Sequence, residues 1–280
     1  MPGHNDWFGI NLHKNLSNHD IEFQAELRIA GADLAMPFTE SSDYTAKLIA
    51  SKYKNLYLSL SGGLDSEYVA TVLIRNNIPF TPVILITPDN LDEVWFAKYF
   101  CHQKSLTPLI LDFRDKYNQL LAAVLRHARA ISSAAMIGFY THVIAEHIGD
   151  SAHLLTGFGE PFSNSNDYDV AMGNQLEIEE HDFYLDVTFG NQHPGGFLSY
   201  TPELFFSLIN HIDIDKNTQA AKTILYNISP RIKSTSTLSM PKFVPANATI
   251  RKPNNKKCIT LDRNALLEKA KTHTIIELKN

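Results

Sequence analysis

Apolar residues along this chain fall into short continuous runs and into stripes at helical spacing, and the two patterns alternate. Leu56 to Leu60 and Val83 to Ile86 are runs of strand length suited to burial on both faces, with Pro82 tolerable at the start of the second. Pro108 to Leu111 and Ala152 to Thr156 repeat the pattern more briefly. Between them the spacing predicts helices. Ser42 to Tyr53 carries Tyr44, Leu48, Ile49 and Tyr53 roughly on one side, with Ser41 or Ser42 as its cap. A second helix runs from Glu67 to about Asn76, where Asn76-Asn77 and Pro79 stop it. Leu91 to Lys104 turns Val94, Ala97, Phe100 and Cys101 inward, and Tyr117 to Ala130 does the same with Leu120, Leu121, Val124 and Leu125. Ser132 to His147 follows and ends at Gly149-Asp150.

Strands and helices in that alternation make parallel βαβ units, so the expected class is α/β with a doubly wound, mostly parallel sheet. The flanks read differently. Ile21 to Leu34 alternates only in part, as a strand or hairpin would. Beyond Phe162 comes the turn-rich stretch Ser163 to Asp169, then helices at Pro202 to His211 and Thr218 to Tyr226. The basic, proline-punctuated region Pro230 to Lys257 precedes a last helix from Asp262 to His273, capped by Asp262. Three parts are expected: an extension over 1–40, the α/β domain over 41–162, and a less regular, mainly helical portion over 163–280.

Composition adds little to this. An apolar fraction of 44% over 280 residues supports a packed core. A formal charge of −5 gives no general footprint for nucleic acid. Cys101 and Cys258 stand in no paired spacing, which suggests neither a disulfide framework nor a thiolate metal site. No apolar run approaches membrane-spanning or signal-peptide length, so a cytoplasmic protein without membrane partners is expected. Of the twelve histidines, His142 and His147 lie five apart, which does not align two metal ligands on one helical face.

The candidate chemistry begins at Ser61-Gly62-Gly63-Leu64-Asp65-Ser66, between the first apolar run and the helix that follows it. A glycine pair lets the backbone turn sharply and approach a ligand closely. The helix it opens faces the same spot with free N–H groups and the positive end of its dipole, so the turn is an anion site. Ser61 and Ser66 add hydroxyl donors. Asp65 brings a carboxylate near the same anion, a conflict that magnesium bridging carboxylate and phosphate would resolve. The commonest phosphate loop is excluded, because no Lys-Ser or Lys-Thr ends a longer glycine-framed stretch here.

Ser-Gly-Gly-Leu-Asp-Ser instead resembles the pyrophosphate loop of the N-type ATP pyrophosphatases, also called PP-loop or adenine nucleotide alpha hydrolase-like proteins, among them asparagine, NAD and GMP synthetases and tRNA-modifying enzymes. The resemblance implies ATP and Mg2+ as cofactors. In that family a substrate oxygen attacks the α-phosphorus, giving an adenylated substrate and pyrophosphate, so the same step is expected here. Leu154 to Glu160 is similar to the second asparagine synthetase motif, a glycine turn presenting acids to metal and substrate. Phe158, Pro161 and Phe162 stand where that family has acids, and Glu160 remains as a shifted carboxylate. Pro230-Arg231-Ile232-Lys233 resembles a basic stretch of the same family.

From this the site residues follow. Ser59, Leu60, Ser61, Gly62, Gly63, Leu64, Asp65, Ser66, Ile86, Thr87 and Gly157 are expected to bind the nucleotide. Asp65 and Glu160 are expected to hold the metal, and Arg231 and Lys233 to join Asp65 in catalysis. Leu58 belongs to the same strand end. Asp89, in Pro88-Asp89-Asn90, suits a turn or cap better than a ribose contact. Phe197, Tyr200, Phe205 and Phe206 suit core packing better than an acceptor pocket. The expected activity is adenylation of a small acid or amide, without a glutaminase domain in this chain. A tRNA- or nucleobase-modifying enzyme and a non-catalytic nucleotide-binding protein are the alternatives. The partners are ATP and the unidentified acceptor, with room for tRNA and for homo-oligomers.

Overall fold

The computed structural model describes residues 7–14, 21–130, 139–161, 175–179, 185, 189, 192–212, 218–228 and 258–279. The chain opens with strands β1 (Phe8–Lys14) and β2 (Ile21–Arg28), paired antiparallel from Phe8 opposite Leu27 to Lys14 opposite Ile21. Helix α1 spans Phe38–Lys52. It starts four residues before the expected Ser42, because Pro37 already sets the entry angle at φ −60°. Ser41 and Ser42 are therefore inside the helix, and both hydroxyls donate back to the Phe38 carbonyl, at 3.0 and 2.7 Å.

Strand and helix then alternate: β3 (Leu56–Ser59), α2 (Leu64–Arg75), β4 (Thr81–Ile86), α3 (Leu91–Gln103), β5 (Leu109–Asp112), α4 (Tyr117–Ala130), α5 (Tyr140–Ile148) and β6 (His153–Thr156). Next come β7 (Gln175–Glu179), the two-residue β8 (Gly195–Gly196), α6 (Pro202–His211) and α7 (Thr218–Tyr226). The described chain closes with β9 (Cys258–Asp262), α8 (Arg263–Thr272) and β10 (Ile275–Lys279).

β5, β4, β3, β6 and β8 form, in that order, a five-stranded sheet in which every pairing is parallel. This is the α/β class the alternation implied. The order runs from β3 through β4 to β5 on one side and from β6 to β8 on the other. Such a reversal leaves a crevice at the carboxyl ends of the two strands where it occurs, here β3 and β6.

The described part of the portion after residue 162 has more residues in helices than in strands, with strands that the sequence pattern did not show. Besides its helices it contributes β8 to the parallel sheet, β7 and β9 to an antiparallel pair, and β10 to a sheet with β1 and β2. Two glycines carry no apolar signal, and the remaining strands pair across long stretches of sequence. Phe197, Tyr200, Phe205 and Phe206 are buried in the core rather than lining a pocket. Nearby, the Trp7 indole donates to the Ser199 carbonyl at 3.0 Å. The Thr45 and Thr201 hydroxyls lie 2.6 Å apart and join α1 to the start of α6.

Candidate functional site

Leu60 leaves β3 with its N–H donated to the Val83 carbonyl at 2.9 Å, and the backbone turns at Gly62, φ +90°. A side chain there would run into the Glu93 carbonyl of α3, so that close approach admits only glycine. Helix α2 begins at Leu64, three residues before the sequence pattern placed it. Leu64, Asp65 and Ser66 are thus its first turn, and Gly63 at its N-cap position supplies no side-chain cap. The first N–H groups of the helix point out of the turn with the positive dipole end behind them. Ser61 Oγ accepts from Gly63 N at 3.2 Å and lies 3.2 Å from Ser66 Oγ, which donates to the Gly63 carbonyl at 3.1 Å. The two hydroxyls expected at an anion are brought together.

The second glycine turn meets the first. A Cβ on Gly157 would lie 2.7 Å from Ser66 N, so the chain leaving β6 passes directly over the start of α2. Gly159, at φ +99°, turns the backbone so that Glu160 follows, and a Cβ on Gly196 would sit 2.8 Å from the Phe158 carbonyl. β8 packs against this turn through a glycine.

Asp65 and Glu160 converge on Lys222, a residue of α7 that sequence reasoning missed. Lys222 Nζ lies 3.1 Å from Asp65 Oδ2 and pairs with Glu160 Oε2. The lysine side chain is 1% exposed, against 11% for Glu160 and 28% for Asp65. One turn along α7, the Tyr226 hydroxyl donates to Asp65 Oδ1 at 2.8 Å. Its ring stacks on Tyr68 with centroids 4.3 Å apart, and Phe38 stacks with both. Burial, reinforced by the Asp65 charge, pushes the Tyr226 hydroxyl well above its ordinary value, so it remains a donor. A signal for Lys222 was present in the sequence. Ala221, Leu225 and Tyr226 define the apolar face of the helix, and Lys222 lies on that face, where a cation needs partners.

Asp65 and Glu160 are hard oxygen donors already gathered around one positive charge, which fits magnesium. Two carboxylates with phosphate oxygens and water make a usual magnesium site, and no group of three or more His, Cys, Asp or Glu suited to a metal occurs among the described residues.

Ile86 ends β4 and Thr87 follows it, both buried. Their backbone groups are engaged: the Ile86 carbonyl accepts from Phe113 N at 2.9 Å, and Thr87 N donates to Asn90 Oδ1 at 2.8 Å. Asp89 stays in its turn, its N–H directed at Thr87 Oγ1 at 3.4 Å, while its carboxylate accepts from Tyr117. Ser59 is the last residue of β3, half-buried, and Leu60 is buried just beyond it. Arg231 and Lys233 lie outside the described residues.

A second buried polar cluster lies between α4, α5 and β6. His127 and His142 face each other at 5.1 Å between ring centroids, and Phe189 lies 5.7 Å from His142 and 5.2 Å from His193. Leu154 N donates to His193 Nδ1 at 3.0 Å, which requires the proton of that ring on Nε2. Burial, with the nearby His153 charge, holds His193 down at about 4. At the rim Glu146 accepts from Arg126 at 2.7 and 2.9 Å and meets His127 Nε2 at 3.1 Å.

No family model matches this sequence, and no curated protein does. Solved structures do resemble it. An NH3-dependent NAD synthetase from Campylobacter jejuni matches at 18% identity and a TM-score of 0.34, over 44% of this chain and 58% of that one. An NMN synthetase from Francisella tularensis matches at 13% and 0.34, over 71% and 89%. A glutamine-dependent NAD+ synthetase from Acinetobacter baumannii, solved with ADP, matches at 13% and 0.30, over 74% of this chain and 35% of that one. The match thus spans 58% of the length of the first enzyme and 35% of the third. At these scores the likeness carries no argument about substrate or partner. Among the described residues no helix is long and apolar enough to cross a membrane.

Proposed function

We propose that this chain is a PP-loop ATP pyrophosphatase that adenylates a small acid or amide and releases pyrophosphate. One observation carries the reading. Asp65 and Glu160, delivered by two glycine turns at the carboxyl ends of adjacent parallel strands, meet at one buried cation beside an uncapped helix start.

In this reading the N–H groups of the first turn of α2 and the hydroxyls of Ser61 and Ser66 hold the outer phosphates. Gly62 and Gly157 keep side chains away from them. An acceptor oxygen attacks the α-phosphorus, the bond from that phosphorus to the bridging oxygen of the β-phosphate breaks, and pyrophosphate leaves with the electron pair. Lys222 supplies the positive charge that leaving group needs, the role the family resemblance gave to Arg231 and Lys233. Tyr226 keeps the Asp65 carboxylate aimed. Magnesium, when bound, neutralises phosphate charge, and Asp65 and Glu160 are the residues that would hold it.

The test is release of pyrophosphate and AMP from ATP in the presence of a panel of amino acids, other small carboxylic acids and amides. Acceptor-dependent pyrophosphate is the expected product. ADP and phosphate instead would replace this reading with another phosphoryl transfer, and nucleotide binding without pyrophosphate from any acceptor would replace it with a nucleotide-binding protein.

A further inference from the structure

Lys222 stands where a free metal ion would have to stand. Of the four carboxylate oxygens of Asp65 and Glu160, Asp65 Oδ2 and Glu160 Oε2 are engaged by Lys222 Nζ, and Asp65 Oδ1 accepts from Tyr226. The lysine is enclosed, with its ammonium engaged. Its side chain is almost fully buried, and α7 is pinned at both ends of one turn, by the ammonium and by the Tyr226 hydroxyl and ring stack. A divalent ion entering alone would meet that ammonium at contact distance, and two cations in one gap of low dielectric repel strongly. Expelling the ammonium without a new partner would leave a charge stranded in the interior. A triphosphate changes this, because its oxygens offer partners to both cations at once.

We propose that Lys222 is the resident counter-ion of Asp65 and Glu160 and bars free divalent cations, so that magnesium enters only as its nucleotide complex. The proposal deepens the adenylation reading and rests on it for the nucleotide half alone. It makes metal uptake conditional on nucleotide, through a cation built into the chain.

Manganese, whose free ion is counted by electron paramagnetic resonance, serves as the probe on the full chain. Without nucleotide, the wild type is expected to leave manganese free in solution. Lys222→Met is expected to take up one ion per chain at least about tenfold more tightly, the effect of removing a like charge at contact. Lys222→Met combined with Asp65→Asn should lose that ion again. With an ATP analogue carrying a methylene between the α and β phosphorus atoms, the wild type should bind manganese.

Nucleotide-free binding by the wild type that Asp65→Asn removes would overturn the proposal, and so would a Lys222→Met chain that gains no ion. Should the Met variant lack the wild-type circular dichroism, Lys222→Gln, which keeps a donor to the carboxylates without the charge, takes its place under the same criteria. Failure of the wild type to bind the analogue at all would overturn the adenylation reading together with the nucleotide half. The nucleotide-free arms decide the role of Lys222 by themselves.

Discussion

Two buried clusters of ionisable groups in this molecule solve the same problem in opposite ways. Around Lys222, charge is retained and compensated, with one ammonium against two carboxylates and a tyrosine hydroxyl completing the set. Around Phe189, charge is given up: burial holds His193 neutral, and its unprotonated nitrogen is used to accept from the Leu154 backbone. A charge is expensive to bury, and a neutral imidazole with a hydrogen-bond partner costs far less. The first cluster keeps its charges at the crevice where the sheet order reverses, where an anionic ligand could use them. The second lies away from that crevice and serves packing. One breaks when a charge is removed, the other when a charge is added.

The largest expected effect is on the charged side. Lys222→Met leaves the nearly buried Glu160 without its counter-ion and beside the partly exposed Asp65, and should cost about 3–5 kcal/mol of stability, the range for breaking one partner out of a buried pair. Denaturant titration measures it, with Asp65→Asn/Lys222→Met recovering part of the loss because one of the two stranded charges is gone. Next comes Asp65→Asn alone. The fold should persist by circular dichroism, while pyrophosphate release falls by at least about a hundredfold, as for removal of a group that stabilises developing charge. Retained activity with unchanged magnesium dependence would dissolve the contrast between the two clusters.

Gly157→Ala tests the contact between the two turns. Its new methyl would press on the Ser66 backbone, and about 1–3 kcal/mol of destabilisation is expected from overpacking. Thermal unfolding with and without ATP separates that loss from loss of the ligand site. His193 should contribute without change near neutral pH. His193 has its folded pKa depressed to about 4 from an ordinary 6.5, so its contribution is complete above 6.5. It is lost progressively as pH falls from 6.5 to about 4, because only the unfolded chain takes up the proton in that window. His193→Gln should flatten the melting temperature over that interval while leaving the acid response of the carboxylates in place.

What could be read in advance divides along the range of the contacts. The loop from Ser61 to Ser66 is local: a strand, two glycines and a helix start within a dozen residues, all visible in order. So are the Asp262 cap, which accepts from Ala265 N at 2.8 Å, and the helix of α6 behind Thr201. Lys222 is the opposite case. Its helix was legible, but its partner Asp65 lies 157 positions away, and no periodicity within α7 names that partner. The early start of α1 turned on Pro37, a residue read as neither cap nor stop. β8 escaped because two adjacent glycines look like a turn, although the missing side chain of Gly196 is what admits the Phe158 carbonyl.

The sheet of β1, β2 and β10 has a consequence for how the protein is made. β2 receives its second neighbour from residues 275–279, far along the chain from the hairpin itself. Until they arrive the hairpin offers a bare hydrogen-bonding edge to whatever passes. A chain not yet extended that far therefore exposes an edge that a chaperone would have to cover.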